Sequence, residues 1–83
     1  MDAVQLQYPR SVVFDQREGR LLVADQCNNR IVVIDSDLTG ARQLHVDVND
    51  GLAWPYGLHV DHERRRLYVA EWNQGRIVRV DLP

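Results

Sequence analysis

Apolar residues in this chain fall in short, β-branched runs separated by turn residues, and no stretch sustains the 3.6-residue period of an amphipathic helix. The runs at 11–14, 20–25, 30–35 and 43–48 each predict a strand, as do those at 57–60, 67–71 and 76–81. No significant helix is expected. The second and third runs are apolar on both parities. Leu21 and Val23 share one face while Leu22 and Ala24 share the other, and Ile31 with Val33 and Val32 with Ile34 repeat this. A sheet with one wet face would alternate apolar with polar, so both faces here need cover.

The pattern is also said twice. Pro9, Asp15, Arg20, Arg30 and Asp35 recur as Pro55, Asp61, Arg66, Arg76 and Asp81, each 46 residues later and with no gap between. Repeats of this period signal a solenoid, propeller or array whose units cannot bury their apolar faces alone. With no helix available, the cover must be other sheets, which makes each unit a propeller blade. The expected fold is all-β: two consecutive four-stranded antiparallel β-propeller blades, a partial propeller forming one segment over 1–83. Repeat 1 spans about 8–48 and repeat 2 about 54–83, the latter with three of its strands. Residues 3–7 are expected as the outer strand of a preceding blade, because they resemble the run before Trp54-Pro55.

Turn chemistry agrees with this division. Asn29 and Gly75 are equivalent, and both residue types tolerate positive φ, which suits the hairpins between the second and third strands. Gly19 suits the preceding turn, whereas its counterpart is Arg65, so that turn is expected to differ in the second unit. Thr39-Gly40 and Asp50-Gly51 mark the remaining connections.

The spacing of these residues resembles the NHL-repeat family. Its pattern runs from Pro through apolar residues to Asp, then an apolar-Val-Ala-Asp strand, an Asn-X-Arg-Ile turn and a strand ending in Asp. Pro9, Asp15, Val23-Ala24-Asp25, Asn28-Asn29-Arg30-Ile31 and Asp35 follow it. Pro55, Asp61, Val69-Ala70-Glu71, Asn73, Arg76-Ile77 and Asp81 follow it again, with departures at Ser11, Glu71 and Gln74-Gly75. The resemblance implies six-bladed propellers of the type found in tripartite-motif ubiquitin ligases, of which this chain would supply a third. It implies a propeller that binds protein or RNA, and it also touches amidating lyases.

Composition adds limits. The formal net charge is −2, which gives no global case for nucleic acid or an anionic membrane. All ten basic residues are Arg. A single cysteine, Cys27, rules out an internal disulfide. No apolar run approaches a membrane span and Met1-Asp2 does not begin a signal peptide, so a cytoplasmic location is favoured.

Strand order places Tyr8, Arg10, Gln26, Asn28, Trp54, Tyr56, Trp72, Asn73 and Gln74 at one end of the sheets. From these, Arg10, Trp54, Tyr56, Trp72 and Asn73 are the candidate partner-binding residues, since aromatics, amides and Arg suit recognition. Tyr8 and Trp54 could instead pack over the blade edge. The opposite end gathers Arg17, Arg42 and Arg64-Arg65-Arg66, a solvated turn or a phosphate clamp. Arg30 and Arg76 read as structural ion-pair partners within their blades. No catalytic constellation, metal ligand set or cofactor motif is found, so a non-catalytic module is favoured over an enzyme. The alternatives are a fragment of a metal-dependent lyase or lactonase-like propeller, with His59 or Asn73 as ligands, and a truncated gene product without separate activity. A protein partner is expected first and RNA second, with no membrane. The missing blades would come from a longer parent chain or from a homotrimer that closes a six-bladed ring, although Arg79 replaces a packed Val33 on the joining side.

Overall fold

The β-branched runs form two antiparallel sheets in the computed structural model, which describes residues 4–47, 51–73 and 75–83. The first sheet contains β1 (Pro9–Asp15), β2 (Arg20–Asp25), β3 (Arg30–Asp35) and β4 (Ala41–Gln43) in sequential order. The second contains β5 (Pro55–Asp61), β6 (Arg66–Glu71) and β7 (Arg76–Asp81). These are the two propeller-type blades the repeat predicts. The only helical element among the described residues is a three-residue 3-10 turn, Gln26–Asn28, between β2 and β3. Among them, no helix is long and apolar enough to cross a membrane.

The faces of the sheets follow the 46-residue offset. Leu22, Ala24, Ile31 and Val33 of the first sheet pack against Val60, Leu67, Val69, Val78 and Val80 of the second. The first sheet's other face buries Val23, Val32 and Ile34, the equivalents of Val69, Val78 and Val80. Each blade therefore turns one face forward and one back, and only one blade-to-blade interface is formed. Removing this apolar area from water at about 25 cal/mol per Å² is what holds the two sheets together.

Two turns were expected to differ and do not. Gly19 has φ +64° and Arg65 has φ +56°, so both are left-handed. An L-residue with a Cβ pays about 1–2 kcal/mol there. Arg65 offsets this by reaching across the interface: its Nη1 and Nη2 donate to Asp15 Oδ1 and Oδ2 at 2.7 and 2.8 Å. Removing one member of such a buried pair costs about 3–5 kcal/mol, because the other charge is left uncompensated, and this holds Arg65 at the position despite the strain. The hairpin residues Asn29 (φ +52°) and Gly75 (φ +63°) are left-handed as expected.

The fourth strand is displaced from its expected place. β4 covers three residues, Ala41–Gln43, and shares only Gln43 with the predicted run. A tight turn closes it early, with Leu38 at φ +63° donating from its amide to Asp35 O and the Asp35 amide donating to Gly40 O. Beyond Gln43 the chain turns its apolar residues inward, and Leu44, Val46 and Leu52 join the interface between the blades. Apolar burial, not strand pairing, explains that run.

Residues 4–7 form no strand either. Their backbone groups are taken by the loop beside β2, as the Gln7 amide donates to Asp25 Oδ1 and the Cys27 amide donates to Gln7 O. Val4 and Leu6 lie on the open face of the first sheet, against Val23, Val32 and Ile34. Ala3, Val48, Asp50 and Gln74, which belong to the expected outer strands, the Asp50-Gly51 turn and the recognition end, lie outside the described residues.

Candidate functional site

Two buried carboxylates organise the end of the sheets where the aromatics gather. Asp25 and Glu71 close β2 and β6 and are almost wholly buried. Asp25 accepts from the Gln7 amide (2.7 Å), Asn28 Nδ2 (2.8 Å) and Arg30 Nε (2.8 Å). Burial alone would raise its pKa; the bonds from Asn28, Arg30 and Gln7 outweigh it and hold the carboxyl below its ordinary value. Glu71 repeats the device, accepting from the Ala53 amide (2.7 Å) and from Arg76 Nε, while Arg76 also donates to Gly51 O. The matched Arg residues thus pair inside their own blades, with the acid at the end of the preceding strand. Glu71 substitutes for Asp without loss of the clamp.

These clamps fix the segment entering each blade. Tyr8 (φ +55°) and Trp54 (φ +53°) are equivalent and both left-handed, an outlier for bulky residues that the surroundings must enforce. The Gln26 amide donates to Tyr8 O at 3.3 Å and the Trp72 amide to Trp54 O at 3.0 Å. Asn29 Oδ1 accepts from the Trp54 amide at 2.9 Å, which ties the first blade's hairpin to the second blade's entry. Immediately after each Pro the strand carries a bulge, between Pro9 and Ser11 and between Pro55 and Gly57. Arg10 and Tyr56 are the bulged residues. A bulge re-aims its side chain, and both of these turn toward the sheet end.

The result is one groove of about 570 Å³, lined by Tyr8, Arg10, Gln26, Cys27, Trp54, Tyr56 and Trp72. Its walls come from both blades. Tyr8 is 71% and Trp72 66% exposed, and Trp54 and Tyr56 are partly exposed. The indoles of Trp54 and Trp72 contact each other, with ring centroids 5.6 Å apart and planes tilted by 31°. Trp54 is therefore partly packed, as a blade-edge residue would be, but Tyr8 is not. Arg10 makes no ion pair among the described residues, and it is the groove's only ionic side chain.

Four of the five residues expected at the site meet in this groove. The fifth, Asn73, is exposed but does not line it. Tyr8, Gln26 and Cys27 complete the lining and were not among the five, although strand order places Tyr8 and Gln26 at this end. Tyr8 carried a signal, because it repeats Trp54 ahead of Pro; Cys27 carried none.

The arginines at the opposite end do not act together. Arg64 donates to Asp61 at the surface, through its amide and Nη1, both at 3.2 Å. Those bonds, the amide first, hold Asp61 below its ordinary pKa. Arg65 is committed to Asp15, which also accepts from Arg20 Nε at 3.1 Å. The bidentate Arg65 bond, aided by Arg20, keeps the buried Asp15 carboxyl far below the usual carboxylate range. Arg65 is thus an interblade strut, a role that neither the solvated turn nor the phosphate clamp anticipated. His59 is exposed on β5 opposite Tyr68. Among the described residues, no group of three or more His, Cys, Asp or Glu could hold a metal ion.

Comparison with known families agrees with this architecture. The family model for the NHL repeat matches residues 6–34, the entry segment, β1, β2 and nearly all of β3. No curated protein matches the chain. The second blade lies outside the matched residues and reproduces the first in strand register, entry clamp and bulge.

Proposed function

We propose that this NHL-repeat segment is a non-catalytic interaction module that takes an extended, acidic, proline-bearing peptide of a protein partner in the aromatic groove. The observation that supports it is the combination of four exposed aromatic rings with the Arg10 guanidinium, which has no ion-pair partner among the described residues, on backbone held in costly conformations. Aromatic-lined grooves dock polyproline-type segments, which lose little entropy on binding. Arg10 would take a peptide carboxylate, and it disfavours a cationic guest in the aromatic cage. Single-stranded RNA could stack on the same rings, but it needs a positive track along the backbone, and Arg10 is the only cation lining the groove.

The test is a peptide array of proline-containing sequences with and without acidic residues, followed by titration of the best hits against tryptophan fluorescence. Acidic proline-bearing hits should bind, and Trp72→Ala should weaken them by at least roughly tenfold with the fold intact. Arg10→Gln should abolish the preference for acidic over neutral peptides. An array without hits, or a uridine oligomer that outcompetes every peptide, would overturn the reading.

A further inference from the structure

The two ends of the blade pair are chemically unlike. The face that the first sheet turns toward the second consists of Val13, Leu22, Ala24, Ile31 and Val33, with Leu22, Ala24 and Ile31 wholly buried. Counting 46 residues on, the second sheet's outer face consists of His59, Tyr68, Ala70, Ile77 and Arg79. Three of five apolar positions have gained a polar group. Arg79 is 54% exposed, with Asp81 at 3.8 Å its one ion-pair partner among the described residues.

We propose that this outer face is a stop: it is built against a second copy of the chain, so that the blade pair does not extend head to tail. In such a stack, His59, Tyr68 and Arg79 would meet the open face of the next copy, which holds Val12, Phe14, Leu21, Val23, Val32 and Ile34. An arginine driven against that apolar surface loses its hydration and gains no acid. Specificity by placing unpaired charge against the wrong partner is a known device.

A second observation, on the opposite edge, points the same way. The existing interface is locked by Arg65 of the second blade reaching back to Asp15 of the first. In a head-to-tail stack the equivalent acceptor is Asp61, and the residue that would reach it from the next copy is Gly19, which has no side chain. Asp61 instead turns to Arg64 of its own loop. The open face is also partly closed by its own chain, since Val4 and Leu6 already lie on it. The ring of three chains would have to form three such joints, each with a buried Arg79 and no strut.

Sedimentation equilibrium across the micromolar range tests this on the intact chain. The wild type should keep the mass of one chain throughout. Rebuilding the joint with Gly19→Arg, His59→Val, Tyr68→Leu and Arg79→Val should produce concentration-dependent multiples. At Gly19 nothing lies within 4 Å of a new Cβ, and the left-handed backbone, which Arg65 already adopts in the second blade, costs the substituted residue about 1–2 kcal/mol. Arg79→Val alone changes an exposed position, so folding is not at stake, and it should raise self-association by at least roughly tenfold. A wild-type trimer, or an Arg79→Val chain that stays folded and single at every concentration, would overturn the proposal.

Discussion

Ile31 and Ile77 hold the same register position in their sheets, opposite Ala24 and Ala70. Ile31 is fully buried and Ile77 is 66% exposed. The backbones around them match down to the strand pairing, so the difference lies in what covers each sheet. In a repeat protein, stability is a sum of unit terms and interface terms, and this chain has two units but one interface. The same contrast separates Asp15 from Asp61. One is sealed by an arginine from the neighbouring blade, the other is tended at the surface by its own loop.

The comparison breaks most sharply at the strut. Arg65→Ala should cost about 3–5 kcal/mol, because it leaves Asp15 buried beside a single remaining Arg20. Urea denaturation would read this as a fall in midpoint, while Arg64→Ala, on the adjacent exposed side chain, should cost less than about 1 kcal/mol. Equal losses at the two positions would remove the distinction between strut and surface turn.

Next in size is the isoleucine pair. Ile31→Ala should destabilise by about 2–5 kcal/mol through lost burial and a residual cavity. Ile77→Ala should fall within about 0.5 kcal/mol of wild type. If the two were equal, something would cover the second sheet's outer face in solution.

Acid tests the same contrast through the carboxylates, and its control carries the smallest expected effect. Asp15 and Asp25 are both held below their ordinary values in the folded state, so below about pH 4 the unfolded chain binds more protons. Their contribution is complete above that pH and is lost as pH falls toward the folded-state values. Circular dichroism should show the fold failing progressively below about pH 4. Asp61→Asn should leave that acid midpoint nearly unchanged, since the group it removes is solvent-screened.

Much of this architecture is legible in the residues themselves. Runs such as Leu21 to Ala24 and Ile31 to Ile34 are apolar on both parities, and only a sandwiched strand satisfies that. The displaced fourth strand was not legible, because Leu44 and Val46 are as apolar as strand residues and differ only in what they pack against. Arg65 was misread for a related reason. A Gly-to-Arg change at a turn looks like altered turn geometry, whereas a contact 50 residues away makes the left-handed conformation affordable. At the groove, strand order alone brought Arg10, Trp54, Tyr56 and Trp72 to one end. The bulges that aim Arg10 and Tyr56 have no signature in the sequence beyond the preceding Pro.

Asn29 gives the groove a further property. It turns the first hairpin through its left-handed backbone, and its side chain holds the amide of Trp54 in the other blade. Because the groove's walls belong to both blades, its width and the angle between the sheets are one variable. A guest that fits only the closed arrangement therefore acts as a clasp on the joint. At a hundred times its dissociation constant it would add about 2.7 kcal/mol of stability, a large share of what so short a chain can muster. Occupancy and folding would then be read by the same melting curve.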